Sequence, residues 1–573
     1  MSVDPRADSA ATLLAQAAAV RAQLTGPGAP FELETVTVQG RTVRAYKNAF
    51  PSLAALIDAG RAHGAQEFMA YEGDRWTFDR FYAAVDALAG RLQSELGIQP
   101  GERVAIAMRN RPEWVVSFAA LALVGAVPAP LNSFGQRDEL VPNLRDLQPR
   151  WLFCDAERQA RVREDLGALQ CQSVVVDETG DGALSWSRLT GPGGPRATTP
   201  ARAPEDPALI LFTSGTSSQA KGVLSSQRAV CQALHNIDFI GAVSAMTSPA
   251  ALAAMRARGL APTTLTVVPL FHVSGLHAQL LSSLRHGRRL VFMYRWDPAR
   301  ALELIRSERI TQFNGAPAMV AQLMATPGFD DPALTGSIGG IGFGGAGLPK
   351  GLIGEVLARR NDSMSGIGFG MTETNGVGAA VSGALFELRP QASGLLSPIV
   401  EVRVRDADGQ DAPAATPGEL CLRGVSLMQG YWGGGGVDAS VLEDGWLRTG
   451  DVGYIDADGY LHVVDRLKDV INRSGEKIAA AEVESCMLQQ PGVAEAAVFA
   501  QPDESTGEAV VAVVVLRPGA AIDADSVRSH VAAHLASYKV PAVVHVRGEP
   551  LPRTPVGKVL KNSLKREYVA SAK

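Results

Sequence analysis

Strand-like and helix-like segments alternate through most of this chain, and that alternation restricts its fold more than any other feature. Val104-Ala-Ile-Ala-Met is an apolar run of strand length, followed by a helix-type stretch over residues 112–123. Arg289-Leu-Val-Phe-Met is followed in the same way by residues 298–306. Apolar strands separated by helices bury a sheet between helical layers, so the spacing predicts an α/β architecture. At 573 residues the chain exceeds one ordinary core, which predicts two or more domains.

One strand carries more than packing. The run Leu209-Ile-Leu-Phe ends at Thr213-Ser-Gly-Thr-Ser-Ser-Gln-Ala-Lys221-Gly222. Such a loop offers backbone N–H groups, several hydroxyls and one ammonium to an anion, which is how proteins hold phosphate. The Lys-Gly order excludes the P-loop, which ends in Gly-Lys-Ser/Thr with a magnesium-binding hydroxyl. Alone, the same residues also describe a surface turn.

Composition narrows the function classes. Hydrophobic residues make up 46% of the chain and charged residues 20%, a globular balance. A net charge of −5 gives no electrostatic basis for nucleic-acid binding. The five cysteines, Cys154, Cys171, Cys231, Cys421 and Cys486, are scattered without metal-ligand spacing and read as buried thiols of a reducing cytoplasm. No signal peptide is evident at Met1-Ser-Val-Asp-Pro-Arg, and the apolar run over 115–131, interrupted by Pro128 and Pro130, reads as a core helix leading into a strand rather than a membrane span. Leu13, Leu14, Val20 and Leu24 form a stripe expected to pack on the protein's own body, with peripheral membrane contact left open.

Several further motifs are ambiguous singly. Gly340-Ile-Gly-Phe-Gly-Gly345 fits GxGxxG before a helix-type stretch over 350–359, with Asp362 beyond it; this is the case for a dinucleotide fold and a dehydrogenase, weak among 59 glycines. Gly368-Phe-Gly-Met-Thr372-Glu373 joins a turn to a hydroxyl and a carboxylate, a pair suited to Mg²⁺ beside phosphate. Asp451 closes Gly445-Trp-Leu-Arg-Thr-Gly-Asp451 and is either a ribose acceptor or a turn cap. His272 reads alone as a packed histidine, and Lys558, in Pro552-Arg-Thr-Pro-Val-Gly-Lys558, as a basic tail. Asp456-Ala-Asp-Gly459 predicts a hairpin turn, and the charged patch 465–469 after it marks a domain boundary, giving domains 1–465 and 466–573.

Together and in this order, these motifs resemble the adenylate-forming superfamily, in its acyl-CoA synthetase branch, from about residue 49 to 565. The resemblance implies a large multi-sheet N-terminal domain with layered helices and a small mobile α+β C-terminal domain. It implies that Thr213, Ser214, Gly215, Thr216, Ser217 and Lys221 lie on the loop gripping the β- and γ-phosphates. Gly344, Gly345 and Ala346 would line the adenine and acyl pockets, with Phe369 where the family usually stacks a Tyr on adenine. Thr372 would touch the α-phosphate, Glu373 would hold Mg²⁺, and Asp451 and Arg466 would bind the ribose. Lys468 would be the hinge, Ser474, Gly475 and Lys477 would line the pantetheine tunnel, and Lys558 would be the catalytic lysine. Ser217, Ser218 and Ala220 depart from the family's Thr-Gly-x-Pro-Lys loop.

The implied function is an ATP-dependent acid–CoA ligase, a monomer or homodimer in the cytoplasm, using ATP, Mg²⁺, coenzyme A and a small carboxylic acid. Acetate-specific relatives close the acyl pocket with a Trp two residues before the motif Thr; Gly370 stands there, beside Met371 and His272, and implies a medium or long fatty, aryl or ring-bearing acid. The rivals are an adenylation enzyme that loads a carrier protein and, from another class, the dehydrogenase.

Overall fold

The strand Gly366–Met371 is where the largest sheet changes character. On one side it pairs in parallel with Gly340–Phe343, and on the other antiparallel with Gly376–Ser382. In the computed structural model, which describes residues 5–177, 183–213, 220–343, 350–360, 363–434, 436–474, 476–554 and 557–569, this sheet has fourteen strands. Its parallel part runs through Gln312–Gly315, Thr263–Thr266, Arg289–Phe292 and Glu67–Tyr71. Its antiparallel part continues through Gly394–Leu396 to the hairpin of Tyr460–Arg466 and Trp446–Ile455.

The predicted elements form. Strand Arg103–Ala107 is followed by helix Pro112–Leu123, and Arg289–Phe292 by Pro298–Ser307, each helix with Pro in its first turn, where a missing N–H costs nothing. Beyond the half-buried Glu113 of its first turn, the helix Pro112–Leu123 is buried, which explains its membrane-like apolarity, and among the described residues no single helix is long and apolar enough to cross a membrane. Helix Pro5–Thr25 packs Ala17, Val20 and Leu24 onto the chain's own core. All five cysteines are buried free thiols.

Strand Val127–Pro130 is the end strand of an all-parallel five-stranded sheet. Val127 and Leu131 donate their N–H groups inward to Glu102 O and Ile106 O, so Pro128 and Pro130, at the alternate positions, face the outer edge without donors. Strand Pro207–Thr213 packs along that edge but ladders instead with Lys221–Ser226, in a separate antiparallel sheet.

The C-terminal unit has its own core. Ile471, Ile478, Val483, Val498, Val510, Val514, Val527 and Val531 form one cluster that, among the described residues, draws in none of the large domain. Its sheet orders Glu476–Ala479, Val470–Arg473, Gly507–Leu516 and Val493–Asp503, with Val543–Arg547 parallel to Gly507–Leu516.

The narrow strand Gly394–Leu396 joins the site-bearing strands to the Asp451 hairpin. Gly394 holds φ +120, and a Cβ there would lie 2.5 Å from Ala380 backbone atoms. Gly394→Ala is therefore expected to destabilise the large domain by about 1–3 kcal/mol, read as a lower temperature for its thermal transition with the small domain's transition unmoved.

Candidate active site

The sheet's change of direction opens a crevice at the carboxyl ends of its parallel strands, where α/β sheets bind ligands. A cavity of about 2470 Å³ lies there, lined by residues of both domains. Strand Gly366–Met371 brings Phe369, Gly370 and Met371 to its wall and delivers Thr372 and Glu373 on the short 3₁₀ turn Thr372–Thr374. Hairpin strands Pro207–Thr213 and Lys221–Ser226 place Thr213 opposite Lys221, so both ends of the predicted phosphate loop reach the same cavity.

Asp451 and Arg466 face each other across the hairpin, and their side chains pair at 3.0 Å. The turn between their strands is tied by Asp456 Oδ1, which accepts the N–H groups of Asp458 and Tyr460 at 3.0 and 2.9 Å. Burial raises the Asp451 carboxyl above its usual pKa, opposed by Arg466 and Lys558. Glu373 is 7% exposed and accepts a 2.8 Å hydrogen bond from Tyr431 Oη. Burial, then Glu373, push the Tyr431 phenol well above its usual range, so it remains a donor. The Lys221 ammonium sits 4.8 Å from the centre of the Tyr431 ring. Tyr431 thus links the carboxylate to the loop lysine. Sequence reasoning missed it because an aromatic residue on a strand reads as core.

Lys558 enters from the small domain on a tight turn. Lys558 N–H donates to Thr554 Oγ1 at 3.1 Å, and Thr554 N–H to Lys558 O at 2.7 Å. Gly557 adopts φ +82 against the large domain, where a Cβ would come within 2.7 Å of Ala316 Cβ. The side chain is half-buried and lines the cavity with Arg466, Asp451, Glu373 and Lys468. Burial and then Arg466 lower its pKa, against Asp451 and Glu373. Lys468, on the 3₁₀ turn Leu467–Asp469, lines the same cavity.

His272 also lines the cavity, and burial, then Lys558, push its pKa down to about 3. The chain next enters a π-helical turn, Leu276–Leu281, which carries His277, also buried and at about 3. Extra-wide turns cluster at functional sites, and nothing in the sequence pattern announces this one.

Not every expected residue meets the cavity. Ser474, at φ 53 beside the start of Glu476–Ala479, and the exposed Lys477 do not line it. Ser214, Gly215, Thr216, Ser217, Gly344, Gly345, Ala346 and Gly475 lie outside the described residues.

An unfolded chain protonates an imidazole near 6.5, whereas folded His272 does so only near 3. Between those values the folded state binds fewer protons, so stability falls as pH drops through this window. His272→Asn is expected to move the acid-unfolding midpoint, followed by tryptophan fluorescence, to lower pH; an unmoved midpoint contradicts a half-buried ring held neutral.

The sequence matches the AMP-binding enzyme family over residues 56–432 and the AMP-binding enzyme C-terminal domain over residues 482–558. It is 34% identical over 500 residues to indoleacetate–CoA ligase of Aromatoleum aromaticum, covering 86% of this chain and 94% of that protein. It is 30% identical to 4-coumarate–CoA ligase 1 of Solanum tuberosum, covering 85% and 89% respectively. The crystal structure of ATP-bound MatB from Rhodopseudomonas palustris matches with a TM-score of 0.78 at 27% identity, over 90% of this chain and 100% of that one. With its large α/β domain, its smaller C-terminal domain and the cavity shared between them, this chain belongs to the AMP-binding enzyme family.

Proposed function

We propose that this protein is an ATP-dependent acid–CoA ligase acting on an aryl or other ring-bearing carboxylic acid. The observation that carries the reading is Lys558, supplied by the small domain to the cavity that Asp451, Thr372 and Glu373 of the large domain also line. In the first half-reaction the acid's carboxylate oxygen attacks the α-phosphorus of ATP; the bond to the bridging oxygen breaks and pyrophosphate leaves. This gives an acyl-adenylate whose AMP is a good leaving group. Negative charge grows at the α-phosphate, and Lys558 with the Thr372 hydroxyl stabilises it there. A flexible point charge suits a group that must arrive from another domain. Asp451 accepts from the ribose hydroxyls, held in place by Arg466, and Thr213 and Lys221 hold the departing phosphates.

The donor set fits Mg²⁺. Glu373 offers one buried carboxylate, anchored by Tyr431, beside Thr372 in a cavity with room for water and phosphate oxygens. Mg²⁺ characteristically takes only one or two protein oxygens. When bound it would neutralise charge on the phosphates.

In the second half-reaction the thiol of coenzyme A attacks the acyl carbon and AMP leaves. Lys558 has no part in this step. We place the domain boundary at 465/466 and the hinge at Lys468, so that rotation withdraws Lys558 and brings Ser474, Gly475 and Lys477 to the cavity. Ser474 and Lys477 stand off the cavity wall, which supports this reading, because one small domain cannot present both loops at once.

Gly370 supports a bulky acid, since no side chain projects from that wall position, and the named relatives act on indoleacetate and 4-coumarate. An amino acid is disfavoured: the cavity-lining Asp238 is already paired with Arg285 and His286.

Pyrophosphate release across a panel of acids, with and without coenzyme A, tests the reading. Arylacetates and cinnamates should exceed acetate, and a preference for acetate refutes it. Gly370→Trp should abolish turnover of ring-bearing acids. Lys558→Ala should slow adenylation by about 10²–10³-fold while leaving thioester formation from supplied acyl-adenylate largely intact; equal loss in both steps contradicts the two-arrangement mechanism.

A further inference from the structure

Away from these groups, the small domain gathers three side chains that the proposed reaction does not use. Cys486 lies on helix Ala480–Leu488, and His530 and His534 lie one turn apart on helix Ala524–His534. The two helices pack together, and one nitrogen of each ring and the Cys486 sulfur all lie within 4.8 Å of one another. The rings face each other with centroids 4.3 Å apart, the neighbour relation that an i,i+4 spacing creates on a helix. Each ring is anchored by a backbone carbonyl: His530 Nε2 lies 3.1 Å from Cys486 O, and His534 Nδ1 lies 2.8 Å from His530 O. An imidazole that donates one N–H to a carbonyl keeps the lone pair of its other nitrogen, which is the tautomer a metal-bound histidine needs.

We propose that Cys486, His530 and His534 form a binding site for Zn²⁺ or a similar thiophilic divalent ion, with water as the fourth ligand. One thiolate and two imidazoles make a tetrahedral zinc donor set, and the soft sulfur selects against Mg²⁺ and Ca²⁺. Bonds of about 2.0–2.3 Å bring tetrahedral ligands to less than the observed 4.8 Å from one another, so small side-chain rotations close the site. Binding displaces the thiol proton to solvent as the sulfur–metal bond forms. His534 is exposed and lines the interdomain cavity with Cys486, which gives the ion a path in. All three ligands belong to the small domain, so the ion travels with it and its affinity does not depend on ATP or the acid. The wide sequence separation of Cys486 from the histidines hides the cluster from any spacing rule.

The test uses untagged full-length protein, stripped with chelator and titrated with Co²⁺ alone, followed by competition with Zn²⁺. One equivalent of Co²⁺ should give a thiolate-to-cobalt charge-transfer band with tetrahedral d–d absorption, bleached by Zn²⁺. Cys486→Ser should lose the charge-transfer band. His534→Ala, at an exposed position where misfolding is least expected, should weaken Zn²⁺ binding by at least about tenfold, with the far-ultraviolet circular dichroism retained. The absence of a band at one equivalent, a band that survives Cys486→Ser, or an unchanged affinity in His534→Ala overturns the site.

Discussion

An ammonium that one domain brings into the charge field of the other is the constraint on which this molecule turns. Lys558 lines the cavity between the domains, where burial and then Arg466 lower its pKa while Asp451 and Glu373 oppose the shift. The small domain supplies the cation, and the large domain supplies both carboxylates, on two different parts of its sheet. Together these residues define the charge field a nucleotide would meet.

That field is possible because of one topological event. The sheet switches from parallel to antiparallel at Gly366–Met371, so a parallel strand end carrying Thr372 and Glu373 comes near an antiparallel hairpin carrying Asp451 and Arg466. Parallel strands open their carboxyl ends to ligands; hairpins hold two side chains in fixed register. The site takes one benefit from each.

Much of this was legible in sequence. The helix–strand alternation, the Asp456-Ala-Asp-Gly459 turn and the helix Lys350–Arg359 are dictated by local chemistry and period. The motif order led to the family, and the residues it singled out on strands and turns, Thr213, Phe369, Glu373, Asp451 and Lys558, line one cavity. What sequence could not yield depends on contacts between distant segments. Tyr431 earns a role only because Glu373 and Lys221 meet it. The π-helical turn at Leu276–Leu281 follows from packing, not from composition. Cys486 looked like an isolated thiol because its neighbours His530 and His534 belong to another helix.

The prolines at the end of Val127–Pro130 reach further than their own strand. With Pro128 and Pro130 facing outward, that edge has no N–H at alternate positions, and Pro207–Thr213 beside it cannot be stitched on by a regular ladder. The two sheets meet through apolar side chains, Val127 and Ala129 on one and Ile210, Phe212 and Leu224 on the other. The hairpin that carries Thr213 and Lys221 is thus seated by packing on one edge and by the ladder of Lys221–Ser226 to Gly430–Gly433 on the other, so the placing of both residues depends on how well that apolar seam is filled.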